Sequence, residues 1–198
     1  PIIFILSSSF ALAQPTANFS ASPVSGCAPL VVTFTDMSTG GPTSWQWDLG
    51  NGTLSTQQNP TTTYFNSGLY TISLTATNAS GSNTFTRTQY IKVDDKPTVD
   101  FSASNTSGCF PLRVNFTDLS VGGSAAVTGY EWDFGDGGLS TAQNPFHIYT
   151  TAGNYTVTLK VTNAGGCSKV VSRPNYIQVS QGVTVDFSFT APQLCKPP

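Results

Sequence analysis

The sequence predicts an all-β fold without helices, and its composition, punctuation and alternation all favour that class. The 198 residues are 38% hydrophobic and 12% aromatic but only 9% charged, which favours packed cores over a disordered chain. Gly and Pro recur at short intervals, and no window of residues shows the apolar period of a helix. Polar and apolar residues alternate instead, as they do in strands that bury one face.

The chain contains one unit twice and the beginning of a third. ANFSASPVSGCAPL at 17–30 is matched by VDFSASNTSGCFPL at 99–112, and VDFSFTAPQLCKPP opens another copy near the end of the sequence. Units of roughly 80 to 90 residues fit one small sandwich domain each. We therefore expect domains at residues 17–93 and 99–179, followed by the first strand of a truncated third repeat at 184–198.

Residues 1–13 are interpreted as the remnant of a signal peptide. An apolar run leads to Ala11, Leu12 and Ala13, an A-x-A cleavage pattern, and polar residues follow from Gln14. The run is too short to span a bilayer, so no membrane span is expected from it. The pattern predicts an exported, extracellular protein, in which disulfides can form.

Within each unit, alternation locates the strands. Leu30, Val32 and Phe34 share one face, and Tyr70 opens the longest alternating run, which continues to Ala76. The second unit repeats both patterns. With the shorter candidates included, each unit has about seven strands, the number found in an immunoglobulin-like sandwich.

The motif at the centre of each unit is WDFGDG at residues 132–137 and WDLGNG at residues 47–52. The tryptophan and the residue two positions later fall on the core face of a strand, and a tight turn follows. In this interpretation the first aspartate accepts hydrogen bonds from backbone amides, and the Asp-Gly or Asn-Gly pair supplies turn conformations with positive φ. The residues assigned this structural role are Trp47, Asp48, Gly50, Trp132, Asp133, Gly135, Asp136 and Gly137.

The same carboxylates could instead form a calcium cluster or an acid–base pair. Such a site would use Asp118, Asp133 and Asp136. Asn51 replaces Asp136 in the first unit, which suits a turn and would disable a catalytic carboxylate. His147 is the only histidine, which disfavours a histidine-based metal site or a catalytic triad. We expect neither an enzyme nor a resident cofactor.

The second unit carries a family resemblance. Its succession of FSAS, CxP, NFTDxS, WDFGDG, LSTAQNPFHIY, AGNYTVTLKVTN and YIQV resembles the PKD (polycystic kidney disease) domain family. The first unit departs from that pattern at Leu49 and Asn51, and it has Thr62 where the second has His147. The resemblance implies an extracellular β-sandwich that acts as a spacer or an interaction module. Tandem copies with a cysteine near the first strand are similar to those of large secreted or cell-surface proteins of bacteria.

The cysteines suggest how the units are joined. Cys27, Cys109 and Cys195 follow the first strand of their units, whereas Cys167 lies in the hairpin before the last strand and is matched by Ser82 in the first unit. In an immunoglobulin-like sandwich Cys109 and Cys167 fall at opposite ends, more than about 20 Å apart for strands of about seven residues. A disulfide requires Cα atoms within about 7 Å of each other.

End-to-end stacking of the units would instead bring Cys27 of the first against Cys167 of the second. We therefore predict a disulfide between repeats, with Cys109 bonded to a cysteine of a later repeat. Ser82 then fits a first repeat that has no preceding repeat to bond. A bridge between Cys109 and Cys167, and free thiols, remain the alternatives.

Two further groups of residues have competing interpretations. Asp94 and Asp95 lie between the units and could hold a cation with Asp100, although a solvated linker is the simpler interpretation. Trp45 and Tyr130 could contact polysaccharide, but they share a strand face with the core tryptophans, which favours burial. With ten acidic and eight basic residues, the chain has no basic patch that predicts a nucleic-acid partner.

Together these observations predict a non-catalytic stalk that provides spacing or adhesion at the bacterial cell surface, with neighbouring repeats as its closest partners. The short links between units leave little room for free swivelling, so the stalk should be semi-rigid. The alternative is an accessory module of a larger secreted enzyme that binds surface polysaccharide or protein.

Overall fold

The computed structural model describes residues 13–182, and every regular element in that range is a β-strand. Nearly all of the expected signal-peptide remnant and the whole expected third-repeat strand lie outside the described residues. Domain 1 contains β1 (Phe19–Ser22), β2 (Ser25–Cys27), β3 (Leu30–Asp36), β4 (Ser44–Asp48), β5 (Leu54–Ser55), β6 (Thr61–Tyr64), β7 (Gly68–Asn78) and β8 (Gly81–Asp94). Domain 2 contains β9 (Phe101–Ala103), β10 (Ser107–Cys109), β11 (Leu112–Asp118), β12 (Val127–Asp133), β13 (Leu139–Ser140), β14 (Phe146–Tyr149), β15 (Gly153–Asn163) and β16 (Ser168–Ser180).

Each domain is a sandwich of a three-stranded and a five-stranded sheet. The strand orders are β1-β3-β6 and β2-β8-β7-β4-β5 in domain 1, and β14-β11-β9 and β10-β16-β15-β12-β13 in domain 2. All strand pairs are antiparallel except β2 with β8 and β10 with β16. The predicted tandem immunoglobulin-like sandwiches are confirmed. Each domain has eight strands, whereas the sequence predicts about seven. The difference arises because β2 and β10, of three residues each, are too short to show alternation in the sequence.

One aromatic cluster fills the centre of each sandwich. Trp47 is fully buried, and its ring lies 5.2 Å from that of Phe19 and 5.7 Å from that of Phe34. Trp132 occupies the same place in domain 2, with its ring 5.2 Å from that of Phe101. Buried rings at these separations stabilise the sandwich through both the apolar surface they remove from water and their mutual contacts.

The outer faces of the sheets carry the polar half of the alternation. The hydroxyl oxygens of Thr75 and Thr84 lie 2.7 Å apart across β7 and β8, and those of Thr158 and Ser172 lie 2.8 Å apart across β15 and β16. β-branched residues fit a pleated surface and pair across strands. A sequence this rich in Thr and Ser therefore forms sheets and not helices.

Candidate functional site at the domain junction

The end of domain 1 that faces domain 2 contains the short strand β2, which pairs in parallel with β8. Its last residue, Cys27, is paired with Asp94 at the end of β8, and the Ala28 amide donates to the Asp94 carbonyl at 2.9 Å. The parallel pairing thus places Cys27 beside the point where the chain leaves the domain. Cys109 has the same position in domain 2, where it is paired with Ser180.

The facing end of domain 2 is organised by Asn163, whose side chain is buried. Its amide nitrogen donates to the backbone carbonyls of Asp95 at 2.8 Å and Gly122 at 2.7 Å. Its oxygen accepts from the backbone amides of Gly165 at 3.1 Å and Cys167 at 3.0 Å. Both donors and both lone pairs are used. One buried side chain therefore ties together the linker, a loop and the last hairpin.

Asn78 has the corresponding role at the equivalent end of domain 1. Its side-chain nitrogen donates to the carbonyls of Ala13 and Gly40, both at 2.8 Å, and its oxygen accepts from the Ser80 amide at 2.8 Å. Sequence reasoning missed both asparagines. The available signal was a polar residue at an inward position, repeated at the end of the most regular strand in ATNASG and VTNAGG.

Cys27 and Cys167 meet at this junction. They form a disulfide with their Cα atoms 5.6 Å apart, and Cys167 is buried. Cys109 is the free cysteine among the described residues, and it is exposed. The bond therefore links domain 1 to domain 2 and leaves the equivalent position at the far end of domain 2 unbonded.

Asp94 is buried at the junction, which corrects the expectation of a solvated linker. The residue is 6% exposed, and its carboxylate lies 3.1 Å from Lys92 Nζ and accepts from the Ser124 hydroxyl at 3.4 Å. Gly165 leaves the necessary space, because a Cβ at that position would lie 2.6 Å from Asp94 Oδ2. The facing domain removes this carboxylate from water, and nothing in the local sequence of the linker signals that.

The other two linker carboxylates have partners of their own. Asp95 accepts from the Ser67 hydroxyl at 2.6 Å, and Asp100 pairs with Arg173 at 2.6 Å. Within residues 13–182, no group of three or more Asp, Glu, His or Cys side chains is arranged to hold a metal ion. The contacts found at the junction are hydrogen bonds, ion pairs and one disulfide.

The two tryptophan motifs form matching turns. Asp48 accepts from the Gly50 amide and Asp133 from the Gly135 amide, each at 2.9 Å. Gly50 and Gly135 have φ angles of 72° and 84°, and both lie against backbone atoms of the neighbouring long strand. A side chain at either position would conflict with both the backbone conformation and the available space.

The two turns differ at one pair of side chains. In domain 2, His147 Nε2 lies 2.7 Å from Asp136 Oδ2, and the imidazole stacks on Phe134 with ring centroids 4.3 Å apart. In domain 1, Asn51 Nδ2 donates to Thr62 Oγ1 at 3.2 Å. Burial acts to raise the pKa of Asp136, but hydrogen bonds from His147 and from a backbone amide outweigh it and lower that pKa. Sequence reasoning placed His147 on a strand but missed its carboxylate partner.

Trp45 and Tyr130, the candidates for polysaccharide contact, are half-buried. Trp45 packs against the core of domain 1, and its Nε1 donates to Asp36 Oδ2 at 2.7 Å. Tyr130 packs against the core of domain 2, where burial and the nearby Asp118 carboxylate raise the pKa of its hydroxyl. The polar end of each side chain is thus engaged within its own domain.

Two immunoglobulin-like sandwiches joined end to end define a tandem β-sandwich module. A family model described as PKD domain matches residues 12–93 and 94–190, which is nearly the whole chain. The chain belongs to the PKD domain family, as the resemblance in its motifs implies. No helix among residues 13–182 is long and apolar enough to cross a membrane.

Similar proteins include bacterial proteases. The chain is 27% identical over 158 residues to the pre-pro-metalloprotease PrtV of Vibrio cholerae, a match that covers 80% of this chain and 17% of PrtV. It is 39% identical over 61 residues to collagenase ColA of Bacillus cereus, covering 30% of this chain and 6% of the collagenase. The crystal structure of the PKD1 domain of Vibrio anguillarum Epp is 30% identical with a TM-score of 0.39, covering 44% of this chain and 99% of that domain. The chain therefore spans 17% or less of the length of these two curated relatives.

Proposed function

We propose that the chain is a non-catalytic stalk of an exported protein, in which two PKD domains are held end to end. The contacts at the junction support this role, because the Cys27–Cys167 bond lies beside the hydrogen bond from Asn163 to the linker carbonyl of Asp95. A single flexible link would leave two domains free to swivel. Two attachments at one junction restrict their relative orientation, so the pair can act as a semi-rigid spacer.

A location outside the cell, at a bacterial cell surface, completes this proposal. A disulfide persists where the surroundings are oxidising, so this bond fits an exported protein better than one in the reducing cytosol. The similarity to the pre-pro-metalloprotease PrtV and to a collagenase, a type of enzyme named for an extracellular substrate, supports the same location. The apolar run and A-x-A pattern of residues 1–13 support export as well.

The Cys27–Cys167 bond is the single observation that carries the proposal, and peptide mapping without reduction tests it. We expect one linked pair of peptides that contains these two cysteines, with Cys109 in a peptide that is not linked to either. A linked peptide containing Cys109 and Cys167 would contradict the stalk, because it would leave the two domains joined by the linker alone.

A second experiment measures stiffness directly. Spin labels on cysteines introduced at Leu54 and Leu139, exposed positions in different domains, report the distance between the domains in a background that carries both Cys109→Ser and Cys195→Ser. We expect a narrow distance distribution when the disulfide is intact and a broad one in the Cys27→Ser, Cys167→Ser variant. Equally broad distributions in both proteins would contradict the proposed stiffness.

A second candidate function is that of an accessory module in a larger secreted enzyme. The similarity to PrtV and to collagenase ColA favours it, because the matched segment is a small part of each of those proteins. In this role the domains would bind protein substrate for a catalytic domain elsewhere. Co-sedimentation of the folded protein with insoluble collagen tests it, since retention with the fibres would support the role and complete recovery in the supernatant would count against it.

A further inference from the structure

An open groove runs along the edge strand β6 of domain 1. Its volume is about 540 Å³, within the range typical of ligand sites. Residues 61–63 of β6 line it together with Phe65, Asn66 and Tyr70, and Asn51 and Thr53 come from the turn of the tryptophan motif and the residues after it. The Phe65 and Asn66 part of the groove lies near the linker, because the next residue, Ser67, donates its hydroxyl to Asp95 at 2.6 Å.

The groove combines an exposed aromatic ring with neutral hydrogen-bonding groups. Phe65 is 73% exposed, although it directly follows the fully buried Tyr64. Tyr70 is fixed in place because its hydroxyl donates to the Asn66 carbonyl at 2.7 Å. The hydroxyls of Thr53 and Thr63 have no hydrogen-bond partner among residues 13–182, so both are available to a ligand. None of the residues that line the groove is charged.

Domain 2 has a different arrangement at the equivalent place. His147 stands where domain 1 has Thr62, and its ring lies directly against Gly138, which replaces Thr53. Thr150 replaces Phe65, so the exposed aromatic ring is missing from that position. The combination of an open aromatic face with free hydroxyls is therefore specific to domain 1, and domain 2 provides an internal control.

We propose that this groove binds a neutral polysaccharide chain. An open aromatic face packs against the apolar face of a sugar ring, and amide and hydroxyl groups beside it hydrogen-bond to the sugar hydroxyls. The absence of charged groups from the lining favours an uncharged glycan over an acidic one. This inference goes beyond the proposed stalk, which does not depend on it.

An extended peptide is a less suitable occupant. A peptide that added to the sheet would need the outward backbone groups of β6. The Asn51 side chain already donates to the Thr63 carbonyl at 3.4 Å and so covers part of that edge. Amide side chains that cover an edge strand hinder the addition of another strand.

Isothermal titration calorimetry of the full chain with cellohexaose, mannohexaose, laminarihexaose and chitohexaose tests the proposal. We expect at least one of these neutral oligosaccharides to bind, and Phe65→Ala to weaken that binding by about tenfold or more. Thr63→Ala should weaken it by a smaller factor. Phe146→Ala, at a 59% exposed aromatic ring of domain 2, is the matched control and should leave the affinity unchanged.

Three results would overturn the proposal. They are failure of all four oligosaccharides to bind, equal losses from Phe65→Ala and Phe146→Ala, and binding of a collagen-derived peptide at Phe65 in place of a glycan. Unchanged tryptophan fluorescence shows that each variant is folded, since all three substitutions lie outside the buried core. Peptide mapping of the Cys27–Cys167 bond is independent of these measurements, so failure here would leave the stalk proposal intact.

Discussion

Domains 1 and 2 have the same interior and different ends. The central tryptophan and the buried asparagine at the end of the longest strand occur in both, so such residues specify the sandwich itself. Domain 1 has Ser80 and Ser82 where domain 2 has Gly165 and Cys167, at the end of domain 2 that receives domain 1. One set of residues therefore determines the fold of each domain, and a separate, smaller set determines how the domains are joined.

The largest loss of stability is expected from substitutions in the interior that the two domains share. Trp47→Ala and Trp132→Ala should each destabilise their own domain by about 3–5 kcal/mol, because a fully buried indole leaves a cavity. Hydrogen exchange at the backbone amides of β7 and β15, at increasing guanidinium chloride concentrations, measures the stability of each domain. Tryptophan fluorescence would not do so, because Trp132 is the single tryptophan of domain 2. Leu139→Ala, at a side chain that is 75% exposed, is the control. Clearly unequal losses of stability in the two domains would contradict the equivalence of their interiors.

The next largest effect is expected at the cysteine that distinguishes domain 2. Cys167→Ser removes a disulfide between residues separated by 140 positions, and it should lower the free energy of unfolding by about 2–4 kcal/mol. Calorimetry under oxidising conditions measures the loss. Cys109→Ser changes an exposed free thiol and should leave the Tm unchanged. A similar drop in Tm for both variants would show that these cysteines do not differ as described.

A smaller effect is expected at the glycine that faces Asp94. Gly165→Ala would set a methyl group 2.6 Å from Asp94 Oδ2, so the buried carboxylate must shift, and we expect a loss of about 1–2 kcal/mol. Hydrogen exchange at the Asp95 and Cys167 amides measures the loosening of the junction. Gly182→Ala is the control, because a Cβ there meets nothing within 4 Å. Unchanged exchange in Gly165→Ala would mean that the carboxylate does not require this space.

The smallest effect is expected where the two turns differ. The folded-state pKa of Asp136 lies below the ordinary value of 3.8, so the ionised carboxylate stabilises domain 2 above that value. The contribution is lost as the pH falls through the folded-state pKa. Asp136→Asn gives domain 2 the residue that domain 1 has at position 51, and it should remove this contribution, which is below about 1 kcal/mol for a partly solvated pair.

Unfolding of the wild type and of Asp136→Asn at about pH 5 and about pH 3 measures this difference. The free energies of unfolding of the two proteins should differ more at the higher pH, where Asp136 is ionised. Asp36 of domain 1 also has a lowered pKa, because burial raises that pKa but hydrogen bonds outweigh the effect of burial. Asp36 is present in both proteins, so its contribution cancels between the wild type and Asp136→Asn. A difference in stability that is equal at both pH values would contradict the role of the ionised carboxylate.

Much of the fold could be predicted from the sequence because it depends on local periodicity. Alternation along β3 and β7 identifies their core faces, and repetition of the unit identifies the domains. The pairing of Cys27 with Cys167 was predicted from the ends of the sandwich that these residues occupy, which follows from strand direction alone. Short strands such as β2 lack enough residues to show a pattern.

The remaining features depend on what faces a residue across space. Burial of Asp94 requires the other domain, and the pairing of His147 with Asp136 requires the turn to bring together residues far apart along the chain. The groove beside Phe65 depends on which side chains are small or absent at several separate positions. No period in the sequence reports such arrangements, so they become visible only in the folded structure.

The disulfide also determines how the chain would carry a pulling force. Tension applied beyond the two described ends passes from Cys27 to Cys167 through the sulfur atoms, so the residues between them form a closed loop outside the path of the load. With a separation of 140 positions, that loop keeps about 460–500 Å of contour length from being extended. The first two strands of domain 1 and the last strand of domain 2 bear the load, whereas the strands that carry Trp47 and Trp132 lie within the loop and are not extended until the bond is reduced.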